Sequence, residues 1–208
     1  MPSASLCDRL LRLCDIAIAL FALVFFLPLM AIISLAIFLT DPGPVVFRHV
    51  RVGKDGRPFR CLKFRSMVTD ADARLTHLLS TDPAARIEWA RHHKLAKDPR
   101  ITPIGHILRK SSLDELPQII NVLCGEMSCV GPRPIVVEET ARYGRYLPQY
   151  LNCTPGLTGL WQVNGRSCTT YRRRVALDVV WSRQRNVQLY WAVLFRTIPA
   201  VLKAQGSA

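Results

Sequence analysis

The sequence from Ile16 to Thr40, IAIALFALVFFLPLMAIISLAIFLT, contains no charged side chain. A helix of about 25 residues is about 37 Å long, which is enough to cross the hydrocarbon core of a bilayer. The apolar run is too long for a secretory signal peptide, and no small-residue cleavage site follows it. The stretch therefore predicts a helix embedded in a membrane.

Pro28 and the flanking charges bear on how this helix meets the bilayer. Pro28 stands near the middle of the run, where it removes one backbone hydrogen bond and is expected to bend the helix. Basic residues flank the run on both sides: Arg9 and Arg12 before it, then Arg48, Arg51, Lys54, Arg57 and Arg60 after it. Basic flanks prefer the cytoplasmic side, so a re-entrant helix broken at Pro28 places both flanks better than a bent single span does. We favour the re-entrant form and keep the bent span as the alternative.

Overall charge indicates a negatively charged partner. The 208 residues carry a formal net charge of +13, although half of them are hydrophobic. Basic charge alone would suit nucleic acid, anionic lipid or a phosphorylated substrate, and the apolar segment favours the membrane surface over nucleic acid. Seven cysteines without a C-x-x-C pair argue against a disulfide framework or a zinc site.

The octet Ser111-Ser112-Leu113-Asp114-Glu115-Leu116-Pro117-Gln118 places two adjacent carboxylates in a basic field. Ser112 with Glu115 three residues later fits a capping box, which predicts that both carboxylates lie in the first turn of a helix. An ionised Asp114 in an anion-attracting site could be a nucleophile towards phosphorus or a ligand of Mg²⁺. Ordinary helix-start chemistry is the alternative, because acidic residues favour first turns.

Basic side chains before and after the octet are candidates for binding phosphate. Residues 45–48 and 59–65 are expected to be short strands of a hairpin, with Lys63 and Arg65 on the face of Cys61. Two like charges on one face require an anion or solvent. Arg133 lies in a rigid Pro-Arg-Pro turn, which suits a fork for phosphate but is also compatible with a purely structural arginine.

The remaining segments predict helices. Residues 69–97 suggest two polar helices, the second capped by Asp82. Residues 138–151 carry three tyrosines at helical spacing, and residues 186–203 suit an aromatic helix lying on the membrane surface. Between them, residues 155–166 combine turn glycines with Gln162 and Arg166, which could donate hydrogen bonds to a nucleotide or a sugar.

Six stretches in order resemble the bacterial sugar transferase family, the monotopic polyprenyl-phosphate phosphoglycosyl transferases. They are Arg51-Val52-Gly53, Lys63-Phe64-Arg65-Ser66-Met67, Asp98-Pro99-Arg100-Ile101-Thr102, Ser112 to Gln118, Gly131-Pro132-Arg133-Pro134, and Pro155 to Arg166. They cover nearly the whole chain after the membrane helix. Some relatives carry Ser-Pro at the helix break, whereas this chain has Leu27-Pro28.

The resemblance implies a ping-pong reaction at the cytoplasmic face of the bacterial inner membrane. Asp114 would attack the β-phosphate of a UDP-hexose and release UMP, and undecaprenyl phosphate would then take the sugar phosphate from the aspartyl intermediate. Glu115 would be the second member of the dyad, associated with Mg²⁺. Lys63, Arg65 and Arg133 would offset phosphate charge, and Asp178 would be a structural or active-site partner of a basic residue.

The resemblance also orders the remaining alternatives. Exopolysaccharide-initiating enzymes are most similar, with UDP-galactose favoured over UDP-glucose as donor, and a homodimer is compatible with the aromatic C-terminus. A membrane-anchored module that binds polyanions without catalysis is the contrasting class. The expected fold is α/β and mostly helical, with a re-entrant membrane helix over residues 1–41. A catalytic domain with a short β-hairpin and interfacial amphipathic helices follows over residues 42–208.

Overall fold

Helix α1 (Leu6–Thr40) contains the whole apolar stretch. The computed structural model describes residues 6–92, 95–165 and 169–202. One face of α1 packs on the rest of the protein along its length, through Leu11, Asp15, Ala19, Ile33 and Ile37. The opposite face exposes large apolar side chains: Leu20, Phe21, Val24, Phe25, Leu27, Ile32, Leu35, Phe38 and Leu39. Among the described residues, α1 is the one helix long and apolar enough to cross a membrane.

Pro28 lies inside α1 and does not end it. The partly buried residues Phe26, Leu29 and Met30 continue the packed face past the proline. The membrane helix is therefore observed as one element, and its re-entry into the bilayer stays a prediction.

Strands β1 (Val46–Val52) and β2 (Pro58–Phe64) form the expected antiparallel hairpin. Lys63 lies opposite Phe47, and Cys61 lies opposite His49. A short 3₁₀ segment, Lys54–Gly56, makes the turn, where Gly56 has a positive φ of 76°. The hairpin confirms the strand pattern, although β1 extends four residues beyond the predicted strand.

Helices α2 (Ala71–Thr81) and α3 (Pro83–His92) follow the hairpin. The Asp82 carboxylate accepts hydrogen bonds from the N–H groups of Ala84 at 2.8 Å and Ala85 at 3.1 Å. This confirms the predicted cap, in which Pro83 occupies the first helical position.

The octet connects two helices. Helix α4 (Pro103–Ser111) ends at Ser111, a single 3₁₀ turn spans Leu113–Glu115, and α5 (Gln118–Cys124) follows. The predicted capping box is wrong, because Ser112 is the C-terminal cap of α4, with φ 59° and ψ 17°. Its left-handed backbone turns the chain, and its side chain makes no capping hydrogen bond. We call Leu113–Glu115 the carboxylate turn.

A second, parallel strand pair was not predicted. Strand β3 (Ser128–Val130) pairs with β4 (Gly156–Thr158), and their backbones approach closely. A Cβ atom on Gly156 would lie 2.0 Å from the backbone nitrogen of Gly131, which explains the glycines in both segments. The pairing sets the Pro-Arg-Pro turn against the glycine-rich segment.

The tyrosine-containing segment 138–151 is broken rather than continuous. A 3₁₀ turn (Val137–Glu139) leads into α6 (Thr140–Tyr143), and a second one (Gly144–Tyr146) leads into α7 (Leu147–Leu151). The predicted single helix is wrong because Gly144 adopts φ 49° and ψ −129°, a conformation that interrupts a helix. Tyr143 and Tyr150 are nevertheless buried together in one cluster.

The described part of the C-terminal region forms α8 (Leu160–Val163), α9 (Tyr171–Gln184) and α10 (Val187–Leu202). Tyr190 and Val193 of α10 are buried in the main core, which also contains Leu11 and Ala19 of α1. Trp191, Phe195 and Ile198 are exposed on the other face of α10. The helix is thus amphipathic, as its pattern predicts. Over the described residues, the protein is mostly helical with two small sheets.

Candidate functional site

Lys63 and the two carboxylates of the octet lie together. The Nζ atom of Lys63 is 2.6 Å from Oε1 of Glu115 and 3.6 Å from Oδ2 of Asp114. Strand β2 supplies the lysine and the carboxylate turn supplies both acids. Asp114 is buried, with 9% of its surface exposed, whereas Glu115 is half-buried. The arrangement is one cation shared by two neighbouring carboxylates.

Their surroundings displace the pKa values of the two acids in opposite directions. Burial raises the pKa of Asp114, the charge of Lys63 opposes this, and Glu115 adds to it. Burial also disfavours the charged form of Glu115, but the charge and hydrogen bond of Lys63 outweigh it and lower the pKa. Neighbouring acids with divergent pKa values are suited to different chemical roles.

A polar cleft opens beside Glu115. Lys63, Arg51 and Arg133 supply positive charge along its wall, and Gln118 and Gln162 supply amides. Arg51 is held by the carbonyl oxygen of Pro134 at 3.3 Å and by Glu139 at 3.9 Å. Glu139 engages Arg51, and the two acids engage Lys63. Arg133, in contrast, pairs with no carboxylate among the described residues and so suits a phosphate of a ligand.

Trp161 stands between two arginines. The guanidinium carbon of Arg133 is 5.9 Å from the ring centroid and that of Arg174 is 4.6 Å from it, while the ring itself is buried. Cation–π contacts of this kind limit the orientations that Arg133 can adopt at the cleft.

Asp178 lies behind this stack rather than in the cleft. It is 2% exposed and accepts a hydrogen bond from the Tyr143 hydroxyl at 2.7 Å. Burial raises its pKa to about 7, opposed by that hydrogen bond and by the charge of Arg174. Its surroundings are those of a structural carboxylate near a basic residue.

Gln162 brings an unsatisfied polar atom to the cleft wall. Its Nε2 donates to the carbonyl oxygen of Leu157 at 3.3 Å, and its buried Oε1 has no hydrogen-bond partner among the described residues. A ligand hydroxyl or amide could supply the missing donor. Arg166, the other amide-segment candidate, lies outside the described residues.

Arg65 is not brought to the cleft. Its guanidinium donates to the carbonyl oxygen of Asp41 and lies 3.5 Å from the Asp41 carboxylate, where α1 leads into the hairpin. The Asp41 carboxylate also accepts the Thr69 N–H at 2.8 Å. Arg65 therefore ties α1 to the hairpin, while Lys63 alone of the pair faces the two acids.

Arg51, expected only as a flanking charge and a motif residue, and Arg109 are site residues that the sequence did not predict. On β1, Arg51 lies on the same face as Phe47 and His49, and Phe47 lies opposite Lys63 of β2. The register of the hairpin would therefore have placed Arg51 on the same face as Lys63. Arg109 donates to the Ser66 hydroxyl at 2.9 Å. Burial lowers its pKa, and the nearby Asp114 opposes that shift. Arg109, five residues before Asp114 in the chain, in turn lowers the pKa of Asp114 through its charge.

Asp114 and Glu115 are the residues that fit a divalent cation. Among the described residues, no group of three or more His, Cys, Asp or Glu side chains could hold a metal ion by itself. Mg²⁺ is commonly held by one or two carboxylates together with substrate phosphates and water. The two acids therefore fit Mg²⁺ if the ligand supplies further oxygens.

A separate cavity of about 80 Å³ lies under the start of α1. Arg185 pairs with Asp8 at 3.0 Å, and Arg12 donates to the carbonyl oxygen of Val122 at 2.6 Å. Asp15 accepts hydrogen bonds from Cys129 N–H and the Tyr190 hydroxyl. These pairings join α1 to the core and indicate a structural role.

The chain is similar to known proteins over nearly its whole length. The family described as bacterial sugar transferase matches residues 7–204. A UDP-galactose-lipid carrier transferase of Erwinia amylovora is 47% identical over 94% of this chain and 41% of its own length. The exopolysaccharide production protein ExoY of Sinorhizobium fredii is 42% identical over 93% of this chain and 85% of its own length.

A UDP-glucose:undecaprenyl-phosphate glucose-1-phosphate transferase of Escherichia coli is 37% identical, over 92% of this chain and 40% of its own length. The chain thus spans less than half the length of the Erwinia and Escherichia relatives and most of the length of ExoY.

Proposed function

Because the chain belongs to the bacterial sugar transferase family, we propose that it moves a hexose-1-phosphate from a UDP-hexose to undecaprenyl phosphate and releases UMP. The observation that carries this proposal is the cluster of Asp114, Glu115 and Lys63 beside a cationic cleft. A polyanion-binding module would need the cations but would have no use for a buried carboxylate among them.

In the first half-reaction, a carboxylate oxygen of Asp114 attacks the β-phosphorus of the donor. The bond between that phosphorus and the bridging oxygen breaks, and UMP leaves with the electron pair. An aspartyl phosphosugar remains on the enzyme. Lys63, Arg51 and Arg133 offset the charge that develops on the phosphate oxygens.

In the second half-reaction, a phosphate oxygen of undecaprenyl phosphate attacks the phosphorus of the aspartyl phosphosugar. The bond to Asp114 breaks, the carboxylate is restored, and the product is a lipid diphosphosugar. Such a ping-pong sequence uses one nucleophile twice and requires donor and acceptor to reach the same phosphorus in turn.

Asp114 and Glu115 would hold Mg²⁺, which when bound supplies Lewis-acid stabilisation of phosphate oxygens. Glu115 keeps Lys63 close to the nucleophile through the hydrogen bond of 2.6 Å. Its lowered pKa keeps it ionised, so it can accept from Lys63 throughout the reaction.

Donor recognition is assigned to the cleft. Gln162 would bind the nucleotide or the sugar there, and Arg133 would be oriented by Trp161 towards the diphosphate. Arg166 stays a candidate for the same ligand from the sequence alone. We favour galactose over glucose, because the relative named for UDP-galactose is 47% identical and the one named for UDP-glucose is 37% identical. A panel of UDP-sugars decides between them.

The acceptor and α1 point to a membrane. We propose that the protein sits at the cytoplasmic face of the bacterial inner membrane with α1 re-entrant, in contact with anionic lipids. The exposed apolar face of α1 and the exposed aromatic residues of α10 would meet the lipid. A homodimer through α10 is compatible with this arrangement.

Replacing Asp114 by Asn tests the reaction. With radiolabelled UDP-hexose, undecaprenyl phosphate and Mg²⁺, Asp114→Asn should release no UMP and form no labelled adduct, because the amide is not a nucleophile. Asp70→Asn is the matched control, since Asp70 is an exposed carboxylate paired with Arg74 on α2. It should retain full activity.

Near-normal turnover by Asp114→Asn would contradict the assignment of the nucleophile. Absence of UMP release by the unaltered protein with every UDP-sugar would instead favour a binding module.

A further inference from the structure

Asn121, in the middle of α5, is a buried amide that bonds to strand β2. It is 2% exposed. Its Oδ1 accepts the Leu62 N–H at 3.0 Å, and its Nδ2 donates to the carbonyl oxygen of Arg60 at 2.8 Å. The same Nδ2 donates to Glu126 at 2.6 Å. The amide of Asn121 is thus used for contacts that join three segments.

The two backbone contacts lie on the free edge of β2. Arg65 N–H donates to Val45 O and Gly53 N–H donates to Arg57 O, so odd-numbered residues of β2 bond to β1. Leu62 N–H and Arg60 C=O therefore point away from β1. These two groups flank Cys61, in the same way as two groups that bond to one residue of a parallel neighbouring strand. The Asn121 side chain takes the place of a third strand at this position.

The bonded edge lies directly beside the proposed reacting groups. Leu62 precedes Lys63 in β2, and Asn121 lies in the middle of α5, the helix that follows the carboxylate turn. We propose that Asn121 is a positioning residue, which sets the distance of Lys63 from Asp114 and Glu115 by fixing β2 against α5. This inference rests on the proposed function, because it assigns the purpose of that geometry.

Helix α5 is itself firmly held, so it can serve as the reference. Arg12 of α1 donates to the carbonyl oxygens of Val122 at 2.6 Å and Leu123 at 2.9 Å. The carbonyl oxygen of Asn121 accepts from Glu126 N–H and Met127 N–H. Movement of β2 along its own axis would therefore break bonds to a fixed partner.

Asn121→Leu removes both bonds to β2 while keeping a side chain of similar size. We expect kcat for UMP release to fall about tenfold to a hundredfold, because a small displacement of a reacting group has an effect of that order. KM for the donor should change little, since Arg51 and Arg133 remain. Asn186→Ala is the matched control, because it removes the cap bond to Leu189 N–H at the start of α10 and leaves β2 intact.

A double-mutant cycle with Lys63→Met identifies the route of the effect. If Asn121 acts by placing Lys63, Asn121→Leu should reduce kcat much less in the Lys63→Met background. An equal loss in both backgrounds, or kcat within about twofold of the unaltered protein for Asn121→Leu, would overturn the inference. Should Asn121→Leu fail to fold, Asn121→Ala carries the same test, because it loses both bonds to β2 without placing a charge against Glu126.

A readout that does not need activity separates this inference from the proposed function. The rate of Lys63 acylation by an amine reagent, followed by mass spectrometry, should rise in Asn121→Leu as the lysine leaves Glu115, with Lys110 unchanged. A protein that releases no UMP would contradict the proposed function, whereas unchanged Lys63 reactivity would contradict the positioning role.

Discussion

Asp114 and Glu115 are adjacent in sequence, yet their environments differ at the scale of single side chains. Asp114 turns inward and is buried, while Glu115 faces Lys63 and the cleft. Burial of Asp114 limits hydration of its carboxylate and so favours a reactive anion once a cation balances it. One lysine serves both acids, which couples their protonation.

The pH dependence of the first half-reaction should reveal this coupling. Asp114 must be ionised to attack, and burial raises its pKa. As the pH is lowered, kcat/KM should therefore begin to fall at a higher pH than it would with an ordinary aspartate. Lys63→Met removes the cation that lowers this pKa, and should move the acid limb to higher pH. Glu115→Gln removes the negative neighbour that raises it, and should move the limb to lower pH. Normalised UMP release measured across pH gives the limb.

Arg74→Met, on exposed helix α2, should leave the limb where it is. Shifts of the same sign in Lys63→Met and Glu115→Gln would contradict the assignment of Asp114 as the titrating nucleophile.

Strand alternation was enough to expect Lys63 beside Cys61 at a possible anion site. It could not tell Lys63 from Arg65, because the partner of Arg65 is Asp41, at the end of α1. Arg109 and Asn121 were equally invisible, since their partners lie dozens of residues away in the chain. Local pattern identifies residue types and faces, but long-range pairing decides which cation meets the acids.

At the scale of elements, backbone chemistry decides where the local rules failed. Ser112 and Glu115 have the spacing of a capping box, but α4 continues to Ser111 and leaves Ser112 as its C-terminal cap. In the segment 138–151, tyrosine periodicity predicts one helix, whereas Gly144 breaks it into two short ones. The Asp82 cap was predictable because both its donors lie within the next three residues.

Asp178 joins α9 to α6 through the Tyr143 hydroxyl, and this contact should make stability depend on pH. Its pKa is about 7 in the folded protein and near 3.8 when unfolded, so the folded state binds the extra proton between these values. Stability should therefore fall as pH rises from about 4 to 7, by up to about 4 kcal/mol.

Asp178→Asn should flatten this dependence, because the amide does not titrate. Thermal midpoints measured in detergent across that pH range test it, with Asp70→Asn as the exposed control expected to retain the slope. An unchanged slope in Asp178→Asn would mean that other groups dominate.

Across the whole molecule, hydrophobicity and charge are divided between two surfaces. The outer face of α1 and the exposed residues of α10 form an apolar surface, while Arg51, Lys63 and Arg133 concentrate positive charge at the cleft. Composition was sufficient to expect a membrane helix and an anionic partner. It could not show that α1 packs along the rest of the protein from Leu11 to Ile37.

Both ends of α1 are attached to the same body, and this predicts the topology. At the first end, Asp8 pairs with Arg185 and Arg12 bonds to α5; at the second, Asp41 pairs with Arg65 of the hairpin. Lys63 of the hairpin contacts the carboxylate turn, and α5 follows that turn in the chain. The partners of both ends of α1 therefore belong to one body, on one side of a bilayer. If α1 spanned the bilayer, its two ends and the charged groups that they contact would lie on opposite sides of the membrane. The contacts at one end would then be lost, and the polar groups left in the bilayer would carry a prohibitive free-energy cost.

We therefore expect epitope tags at the N-terminus and at the C-terminus to be accessible from the same side in sealed vesicles. Protease should remove both tags from inverted inner-membrane vesicles and neither from intact spheroplasts. A known single-span protein with an N-terminal tag is the control for orientation. An N-terminal tag cleaved only in spheroplasts would establish a bent span and would require α1 to leave the body on which it packs.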